Sequence, residues 1–278
     1  MIQDIGEHTF DNQYHPCPPD RESYALYYED HAALVRKYPD RIEFPKFRDI
    51  ERLNEDIYED AVYLFSIDGE RYYLVEEINR ERQSHFTMEN TEIFRRADPQ
   101  YSAFAGITGY QLYIWYRDHK YCGRCGHLLE QDGKERMLRC KECGNMVYPK
   151  ICPAVIIGVT DGSRILMSKY AGRTYKKYAL LAGFAEIGET LEETVKREVM
   201  EEVGLKVKNI RYYKSQPWSF TDTLLMGFYC DLDGGAAITL DREELAMAEW
   251  FQRDEIPVEP ERDSITNEMI IRFKNGEV

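Results

Sequence analysis

Four of the seven cysteines constrain this chain more than any other feature, because they stand in two matched pairs. Cys122 and Cys125 form one CxxC knuckle, Cys140 and Cys143 form the other, and a glycine follows each knuckle. Two-residue spacing lets both thiolates of a knuckle face one ion, and four sulfurs complete a tetrahedral shell. The pattern predicts one structural Zn²⁺ per chain. A redox CxxC is a weaker interpretation, because two matched pairs indicate shared coordination.

Charge and composition limit what the chain can bind. The net charge of −14 is unfavourable for a broad phosphate-backbone surface, which needs clustered Lys and Arg. The longest apolar runs, such as Ala154–Val159, fall far short of the ~20 residues of a membrane-spanning helix. The first ten residues have neither a basic start nor an apolar core, and paired CxxC cysteines suit a reducing compartment. We therefore expect a cytoplasmic protein with no membrane partner.

The first hundred residues carry local structure signals but no recognisable chemistry. Residues 21–38 are predicted to form a surface helix, since a proline follows them. Val62–Val75 is predicted to form a hairpin, because β-forming residues flank Asp68 and Gly69. An aromatic-rich segment from Asp98 to Tyr116 is predicted to be helical and leads into the cysteines.

After Ile151 the chain alternates between strand and helix signals, so chemistry is expected there. Residues 154–170 predict two buried strands around a turn, and strand-like segments recur at 224–232 and 248–252 before a final helix that begins near Asp263 or Ser264. Strands mixed with two helices predict an α+β or α/β/α sandwich. We expect an N-terminal α+β domain (1–118), a zinc ribbon (119–150) and a C-terminal domain (151–278).

One predicted helix in this last domain is rich in glutamate. An apolar residue recurs every four positions along it, which fixes the opposite side toward solvent or a cleft. The apolar positions are Leu191, Val195, Val199 and Val203.

Three carboxylates of that helix lie within one turn of each other. Glu198 and Glu202 are i,i+4 neighbours, and Glu201 is one turn from Glu198. Like charges at this spacing destabilise a helix by a few tenths of a kcal/mol per pair, so a cation should compensate them. Arg197 can hold one carboxylate, and several oxygen ligands together suit Mg²⁺ or Mn²⁺. Taken alone, a charged helix face is usually a solvated surface.

The spacing of these residues belongs to a longer motif. Gly183, five residues, Glu189, seven residues and then the run 197–205 fill every specified position of G-x5-E-x7-R-E-U-x-E-E-x-G-U, where U is aliphatic. The segment resembles the Nudix box. The resemblance implies a loop–helix–loop on an α/β/α sandwich that binds divalent metal ions and hydrolyses nucleoside diphosphates linked to another moiety. Gly204 is the expected left-handed stop of the helix.

A second array follows ten residues after the box. The letters SQPWSF (215–220) are similar to the array SQPWPFPxS of the NADH pyrophosphatase subfamily, although Ser219 and Thr221 replace prolines and Thr223 replaces the serine. The cysteine knuckles and the run YPKICPAVI also resemble that subfamily, so the likeness covers roughly residues 100–273. It implies metal-dependent hydrolysis of NADH and NAD⁺ to AMP and nicotinamide mononucleotide. Bacterial members are also known as decapping enzymes for NAD-capped RNA.

The resemblance also implies roles for residues at the metal site. Glu198, Glu201 and Glu202 are the expected ligands of Mg²⁺ or Mn²⁺, one of them also handling the proton of the attacking water. Arg197 belongs to the same catalytic set. The carbonyl of Ala182 is a further expected ligand.

Four more residues are implied to contact the substrate. Phe184 is expected to stack on the nicotinamide ring, and Gln216 and Trp218 to contact the nucleoside. Tyr148 is expected to close the site from the partner subunit, since the family is homodimeric.

The strand near Trp250 departs from the subfamily pattern. A glutamate ligand usually stands three residues before this tryptophan, but here the position is Met247, whose thioether is a poor ligand for Mg²⁺ or Mn²⁺. In an extended segment Met247 and Glu249 project to the same side. Glu249 can therefore replace the missing ligand, with Glu244 as the second choice. A solvated Glu249 in a site with fewer ligands is the alternative of equal weight.

Two other functions stay open from the sequence. One is a nucleotide sensor, in which a Nudix-like domain without catalysis is joined to a zinc-ribbon binding module; the intact Arg197 and glutamates argue against it. The other is RNA decapping, in which a dinucleotide substrate is incidental and only the RNA 5′ end is engaged. The sequence does not rank NADH, NAD⁺ and NAD-capped RNA.

Overall fold

Residues 1–54, 56–79, 85–172, 176–262 and 264–278 are described by the computed structural model. Their internal contacts separate two units. The N-terminal unit comprises residues 2–150 and 219–221, and the C-terminal unit comprises Met1, residues 151–218 and residues 222–278.

The N-terminal unit is built mainly of short strands. Strands β1 to β11 are Phe10–Asp11, Tyr24–Leu26, Tyr28–Glu29, Ala32–Lys37, Ile42–Glu43, Val62–Ile67, Glu70–Leu74, Thr87–Asn90, Leu129–Gln131, Leu138–Cys140 and Met146–Val147. Helices α1 and α2 are Phe47–Ile50 and Gln100–Asp118, and a 3₁₀ turn covers Thr91–Arg95. One sheet has the order β1-β6-β7-β2, in a second β4 pairs with β3, β5 and β8, and the cysteine segment forms β11-β10-β9.

The predicted helix over residues 21–38 is wrong. This segment forms β2, β3 and β4, and Asp30 turns the chain between β3 and β4 in the left-handed region at φ 47°. Tyr, Leu, Ala and Val side chains on both faces are buried, and β4 pairs with strands on both sides. Burial of an apolar run on both faces is typical of a central strand, so tertiary packing overrides the helical interpretation.

The other N-terminal predictions are confirmed. Val62–Ile67 and Glu70–Leu74 form an antiparallel hairpin, and both Asp68 (φ 53°) and Gly69 (φ 80°) adopt the left-handed conformation that a tight two-residue turn requires. The aromatic segment forms α2, which precedes the cysteines. The buried side of α2 packs on the β1-β6-β7-β2 sheet.

The C-terminal unit is an α/β/α sandwich, which confirms the predicted fold class. Strands β12 to β17 are Cys152–Asp161, Arg164–Tyr170, Leu181–Phe184, Val207–Trp218, Thr223–Leu232 and Leu245–Gln252, and helices α3 and α4 are Leu191–Val203 and Ile265–Lys274. The sheet order is β15-β16-β12-β13-β17, with β14 also paired to β12. β12 and β16 run parallel, whereas the other pairs are antiparallel.

The apolar run of β12 explains why helices cover both faces of this sheet. Val155, Ile157 and Val159 pack with the α3 stripe, and Ile156 packs on the other face with α4. A strand without polar alternation must be buried on both sides. The α3 stripe of Leu191, Val195, Val199 and Val203 lies in the first of these two cores, as predicted.

Both ends of α3 are closed by hydrogen bonds. At the start, Thr190 Oγ1 accepts from the Glu193 amide while the Glu193 carboxylate accepts from the Thr190 amide, a reciprocal capping box. At the end, Gly204 is left-handed at φ 68°, its amide donates to Met200 O, and the Leu205 amide donates to Val199 O. The helix is therefore held at fixed length beside the sheet.

Across the five described ranges, every helix is too short or too polar to serve as a membrane span.

Candidate active site

The centre of the site is a close contact between strand β14 and helix α3. The carboxyl group of Glu198 lies directly over Gly183, so that a Cβ atom added to Gly183 would stand 1.9 Å from Glu198 Cδ and 2.0 Å from Oε1. Gly183 has no left-handed φ, so space and not backbone conformation requires glycine here. The first glycine and the second glutamate of the box are thus two halves of one contact.

Arg197 ties the loop before α3 to the helix itself. Its Nε and Nη2 donate to the two carboxylate oxygens of Glu189 at 2.6 and 2.9 Å, a bidentate pair. Nη2 also donates to Phe184 O at 2.9 Å. Nη1 bridges Glu198 Oε1 at 2.7 Å and Glu201 Oε2 at 2.9 Å. The prediction that Arg197 can hold one carboxylate is confirmed, and the structure gives it three.

The sequence analysis missed the structural role of Glu189. Its carboxylate also accepts from the Glu186 amide at 3.1 Å and from Thr194 Oγ1 at 3.0 Å. The Arg197 hydrogen bonds, with these two, lower the pKa of Glu189 to about 2. The signal was present in the spacing, since seven residues separate Glu189 from Arg197 across a helix start.

The three helix carboxylates differ in burial. Glu202 is 2% exposed and Glu198 is 8% exposed, whereas Glu201 is exposed to solvent. Burial raises the pKa of Glu198 above its ordinary value, Arg197 opposes that rise, and the negative charges of Glu201 and Glu244 add to it. Two buried carboxylates one turn apart carry charge that a cation would stabilise.

The ligand geometry distinguishes this site from the cysteine site. Among the described residues, the four cysteines are the only group of three or more candidate ligands whose donor atoms lie within 4.8 Å of one another. The α3 glutamates therefore face one region without converging that closely, and Arg197 stands between two of them. A carboxylate has two oxygens, so one held by Arg197 can offer the other to a cation.

Met247 and Glu249 project to the same face of β17, as predicted for an extended segment. β17 pairs Met247 with Lys169 and Glu249 with Met167, and Met167 is buried in the core beside α4. Ala248 and Trp250 face α3 instead. Glu249 is exposed. The strand therefore directs Glu249 toward the sheet face opposite the α3 core.

Glu244 lies in a turn that is attached to the end of α3. The Thr239 amide donates to Val203 O and the Asp241 amide donates to Glu202 O, both at 2.9 Å. The Leu245 amide closes the turn onto Asp241 O at 3.0 Å, and Glu244 O accepts from the Ala171 amide at 2.8 Å. These bonds hold Glu244 close enough to Glu198 for its charge to act on that carboxyl group.

The four cysteines form a site that fits zinc. Sγ of Cys122 lies 3.6 Å from Sγ of Cys143, and Sγ of Cys125 lies 3.4 Å from Sγ of Cys140. Tetrahedral zinc with bonds of ~2.3 Å separates its sulfur ligands by about 3.8 Å, close to these values. All four cysteines are unpaired thiols in the structure.

The two knuckles have the same backbone geometry. The Gly126 amide donates to Cys122 O at 2.8 Å and the Gly144 amide to Cys140 O at 2.9 Å, and both glycines are left-handed. The matched turns point both pairs of thiols at one point. This agrees with shared coordination and not with a redox pair.

The residues expected to contact substrate have different environments. Phe184 is 56% exposed at the end of β14, where a ring would be open to a ligand, and Ala182 lies two residues before it, opposite Ile156. Trp218 is half-buried at the end of β15. Tyr148 belongs to the N-terminal unit, is 52% exposed, and donates its hydroxyl to Glu135 at 2.7 Å.

Gln216 is placed differently from the other expected substrate contacts. Its side chain is 0% exposed, and Oε1 accepts from the amide of Ile265, the first residue of α4, at 2.7 Å. This geometry is that of a structural group that satisfies an orphan amide at a helix start. The structure therefore gives Gln216 a bond to α4, and its expected contact with the nucleoside stays a prediction.

Comparison with known proteins identifies two regions of the chain. Residues 150–273 match the NUDIX domain, and residues 117–148 match the NADH pyrophosphatase zinc ribbon domain. The NAD-capped RNA hydrolase NudC of Erwinia tasmaniensis is 41% identical over 162 residues, which are 58% of this chain and 62% of that protein. The protein of the same name from Klebsiella pneumoniae is 39% identical over 173 residues, 62% of this chain and 66% of that protein.

The match therefore spans about three fifths of the length of these curated relatives. Among solved structures, a NUDIX hydrolase from Nitrosomonas europaea aligns over 56% of this chain and 90% of its own, with 24% identity and a TM-score of 0.49.

Proposed function

Because residues 150–273 match the NUDIX domain and residues 117–148 match the NADH pyrophosphatase zinc ribbon domain, we propose that this chain is a Nudix hydrolase that splits the diphosphate bond of NADH and NAD⁺. The products are AMP and nicotinamide mononucleotide. The observation that carries the proposal is the contact between Gly183 of β14 and the buried carboxylate of Glu198. Only glycine permits this contact.

Mg²⁺ or Mn²⁺ is the proposed catalytic cofactor. The residues fit such ions, since Glu198 and Glu202 are buried carboxylates and oxygen is the ligand that both ions prefer. Glu198, Glu201, Glu202 and the carbonyl of Ala182 would hold the ions. When bound, a divalent ion neutralises the diphosphate oxygens and lowers the pKa of the attacking water.

The protein side chains then have separate tasks. Arg197 fixes Glu198 and Glu201 relative to the loop through three carboxylates and one carbonyl, so the ligand set is positioned before substrate arrives. One glutamate of α3 takes the proton of the water. Phe184 offers an exposed ring for the nicotinamide, and Trp218 lies at the end of the neighbouring array.

NAD-capped RNA is the second proposed substrate, because relatives of about 41% identity bear the name NAD-capped RNA hydrolase. Its reactive diphosphate is the same as that of NAD⁺, so one site serves both. The net charge of −14 limits broad RNA affinity, and the 5′ end is the part that this site would engage.

Product analysis tests the proposal directly. The protein is incubated with NADH, ADP-ribose or diadenosine diphosphate in the presence of Mg²⁺ or Mn²⁺, and AMP and reduced nicotinamide mononucleotide are quantified. Glu202→Gln is the control and should lower kcat at least ~100-fold with the fold intact, since it removes charge from the metal site. A nucleotide sensor would bind NADH without releasing AMP, and this outcome would replace hydrolysis with the alternative function.

We also propose a cytoplasmic homodimer in which Tyr148 approaches the partner subunit's substrate. Light scattering after size exclusion should give twice the chain mass of 32.8 kDa. Tyr148→Phe should raise KM for NADH if this residue contacts substrate. A monomer with full activity would contradict both the homodimer and the role of Tyr148 at the partner subunit's substrate.

A further inference from the structure

The N-terminal unit contains a cavity whose lining differs in charge from the rest of the chain. Its volume is about 450 Å³, within the range of small-molecule sites. Among the described residues, four cations line it, Arg36, Arg41, Lys46 and Arg48, together with two carboxylates, so this part of the lining has an excess of two positive charges. The whole chain carries −14. A positive cavity in an acidic protein is suited to an anionic ligand.

Three of the four cations pair with carboxylates that are exposed to solvent. Nη1 of Arg48 contacts Glu22, and Nζ of Lys46 lies 3.5 Å from the same carboxylate. Longer pairs join Arg48 to Asp49 at 4.0 Å and Lys46 to Glu70 at 3.9 Å. The side chain of Glu22 is 61% exposed. Exposed ion pairs contribute about 0–1 kcal/mol, so a phosphate can take the place of Glu22 at little cost.

Arg36 is the least neutralised of the four. Within the described part of the chain no carboxylate forms an ion pair with it, and its buried Nε has no hydrogen-bond acceptor. Its side-chain contacts are the ring of Phe86, 4.6 Å from Cζ, and the hydroxyl of Tyr38, 3.4 Å from Nη1. A buried guanidinium donor without an acceptor is costly, and a phosphate oxygen is the acceptor that guanidinium matches best.

The remaining wall of the cavity is aromatic. Tyr24, Tyr101 and Phe86 line it, and Nζ of Lys46 stands 4.9 Å from the Tyr24 ring. Proteins bind single-stranded nucleic acids with cations that contact the phosphates and aromatic rings that stack on the bases. An acidic peptide would use the cations of this lining but not its rings.

We propose that this cavity binds a nucleotide, with its phosphate on Arg36 and Arg48 and its base against the aromatic wall. The site is distinct from the residues proposed for hydrolysis, and its ligand is either a free mononucleotide or one nucleotide of a single-stranded RNA. Binding here requires neither divalent ions nor a diphosphate.

Fluorescence anisotropy with a labelled five-nucleotide RNA bearing a 5′-hydroxyl tests this site, because such an RNA has no diphosphate to hydrolyse. Titrations are made without added divalent ions on the full chain. Arg36→Gln and Arg48→Gln should each weaken binding about tenfold, the usual effect of losing a charge-assisted phosphate contact. Lys37→Gln is the matched control, since Lys37 follows Arg36 on β4, does not line the cavity and has a 58% exposed side chain.

Competition identifies the source of the ligand. If AMP displaces the labelled RNA at a concentration similar to that of unlabelled RNA, the site takes a mononucleotide. If AMP displaces it much more weakly, the site takes RNA. Both outcomes support the proposal. Equal losses in Lys37→Gln and Arg36→Gln would show diffuse charge only and overturn it. Equal competition by inorganic phosphate or by hexaglutamate would overturn the role of the rings. Thermal melting of Arg48→Gln, an exposed position, shows whether a loss reflects misfolding.

Discussion

At the scale of single residues, the site depends on a position without a side chain. Gly183 leaves the volume that the carboxyl group of Glu198 occupies, and Arg197 holds that group from the other side. The sequence predicted each of these residues through the spacing of the box. It did not show that Gly183 and Glu198 touch, because their contact depends on how β14 packs against α3.

Gly183→Ala should displace the carboxyl group of Glu198, because the added methyl group would overlap its Cδ and Oε1 atoms. A misplacement of about 1 Å in a catalytic group costs roughly 100-fold in rate, so kcat for NADH should fall by about that factor. Gly235→Ala is the matched control, since its Cβ would meet no atom within 4 Å. An unchanged kcat in Gly183→Ala, with both proteins folded by circular dichroism, would contradict the assignment.

Glu244 and Glu249 compete for the place of the carboxylate that Met247 lacks. The turn that holds Glu244 is bonded to the end of α3, whereas Glu249 faces the other side of the sheet. Glu244→Gln should therefore raise the dissociation constant for Mn²⁺ about tenfold, and Glu249→Gln should leave it unchanged. Electron paramagnetic resonance of unbound Mn²⁺ measures this without substrate. The reverse order would restore Glu249 as the replacement ligand.

At the scale of elements, most predictions from periodicity were confirmed and one was wrong. The α3 stripe, its glycine stop and the Asp68-Gly69 hairpin follow from local rules that the folded protein obeys. Residues 21–38 form strands instead of a helix, because their apolar side chains are buried on both faces by partners distant in sequence. The bond between Gln216 and Ile265 could not be predicted for the same reason, since it depends on where α4 packs.

The cysteine knuckles give a prediction for one element. Cys122→Ser should remove bound zinc and lower the melting temperature, because structural zinc binding contributes directly to folding free energy. Metal analysis of the unmodified protein should find about one Zn²⁺ per chain, with four thiol ligands within 4.8 Å. Cys17→Ser, in the same unit but outside the quartet, is the control. Protein that is purified without chelator and carries no zinc would refute the structural role.

At the scale of the whole molecule, the ionisation of Glu189 makes the stability of the folded protein depend on pH. The pKa of Glu189 is lowered from 4.5 to about 2 by Arg197 and its other donors, so the ionised group stabilises the folded state. A lowered folded pKa gives stability that is complete above 4.5 and is lost as pH falls toward 2. The difference in unfolding free energy between the unmodified protein and Glu189→Gln should therefore be constant near neutral pH and shrink below 4.5.

Urea titrations at a series of pH values measure this difference. Glu192→Gln is the comparison, because Glu192 lies in the first turn of α3, close to Glu189 in sequence, and is outside the Arg197 network. A difference that does not change between pH 7 and pH 3 would show that the Glu189–Arg197 pair adds no charge-dependent stability.

The hydrogen bonds at both ends of α3 also determine how fast that helix can open. Helices usually exchange their terminal amide hydrogens quickly, because the first and last turns fray independently of the rest of the domain. Here the Thr190–Glu193 box closes one end, and the Gly204 turn with the Asp241 amide closes the other. Amides of α3 should therefore exchange with solvent only when the whole C-terminal unit unfolds, even in the absence of divalent ions. Because these bonds form without a cation, binding of a divalent ion should carry little entropy cost for ordering the helix.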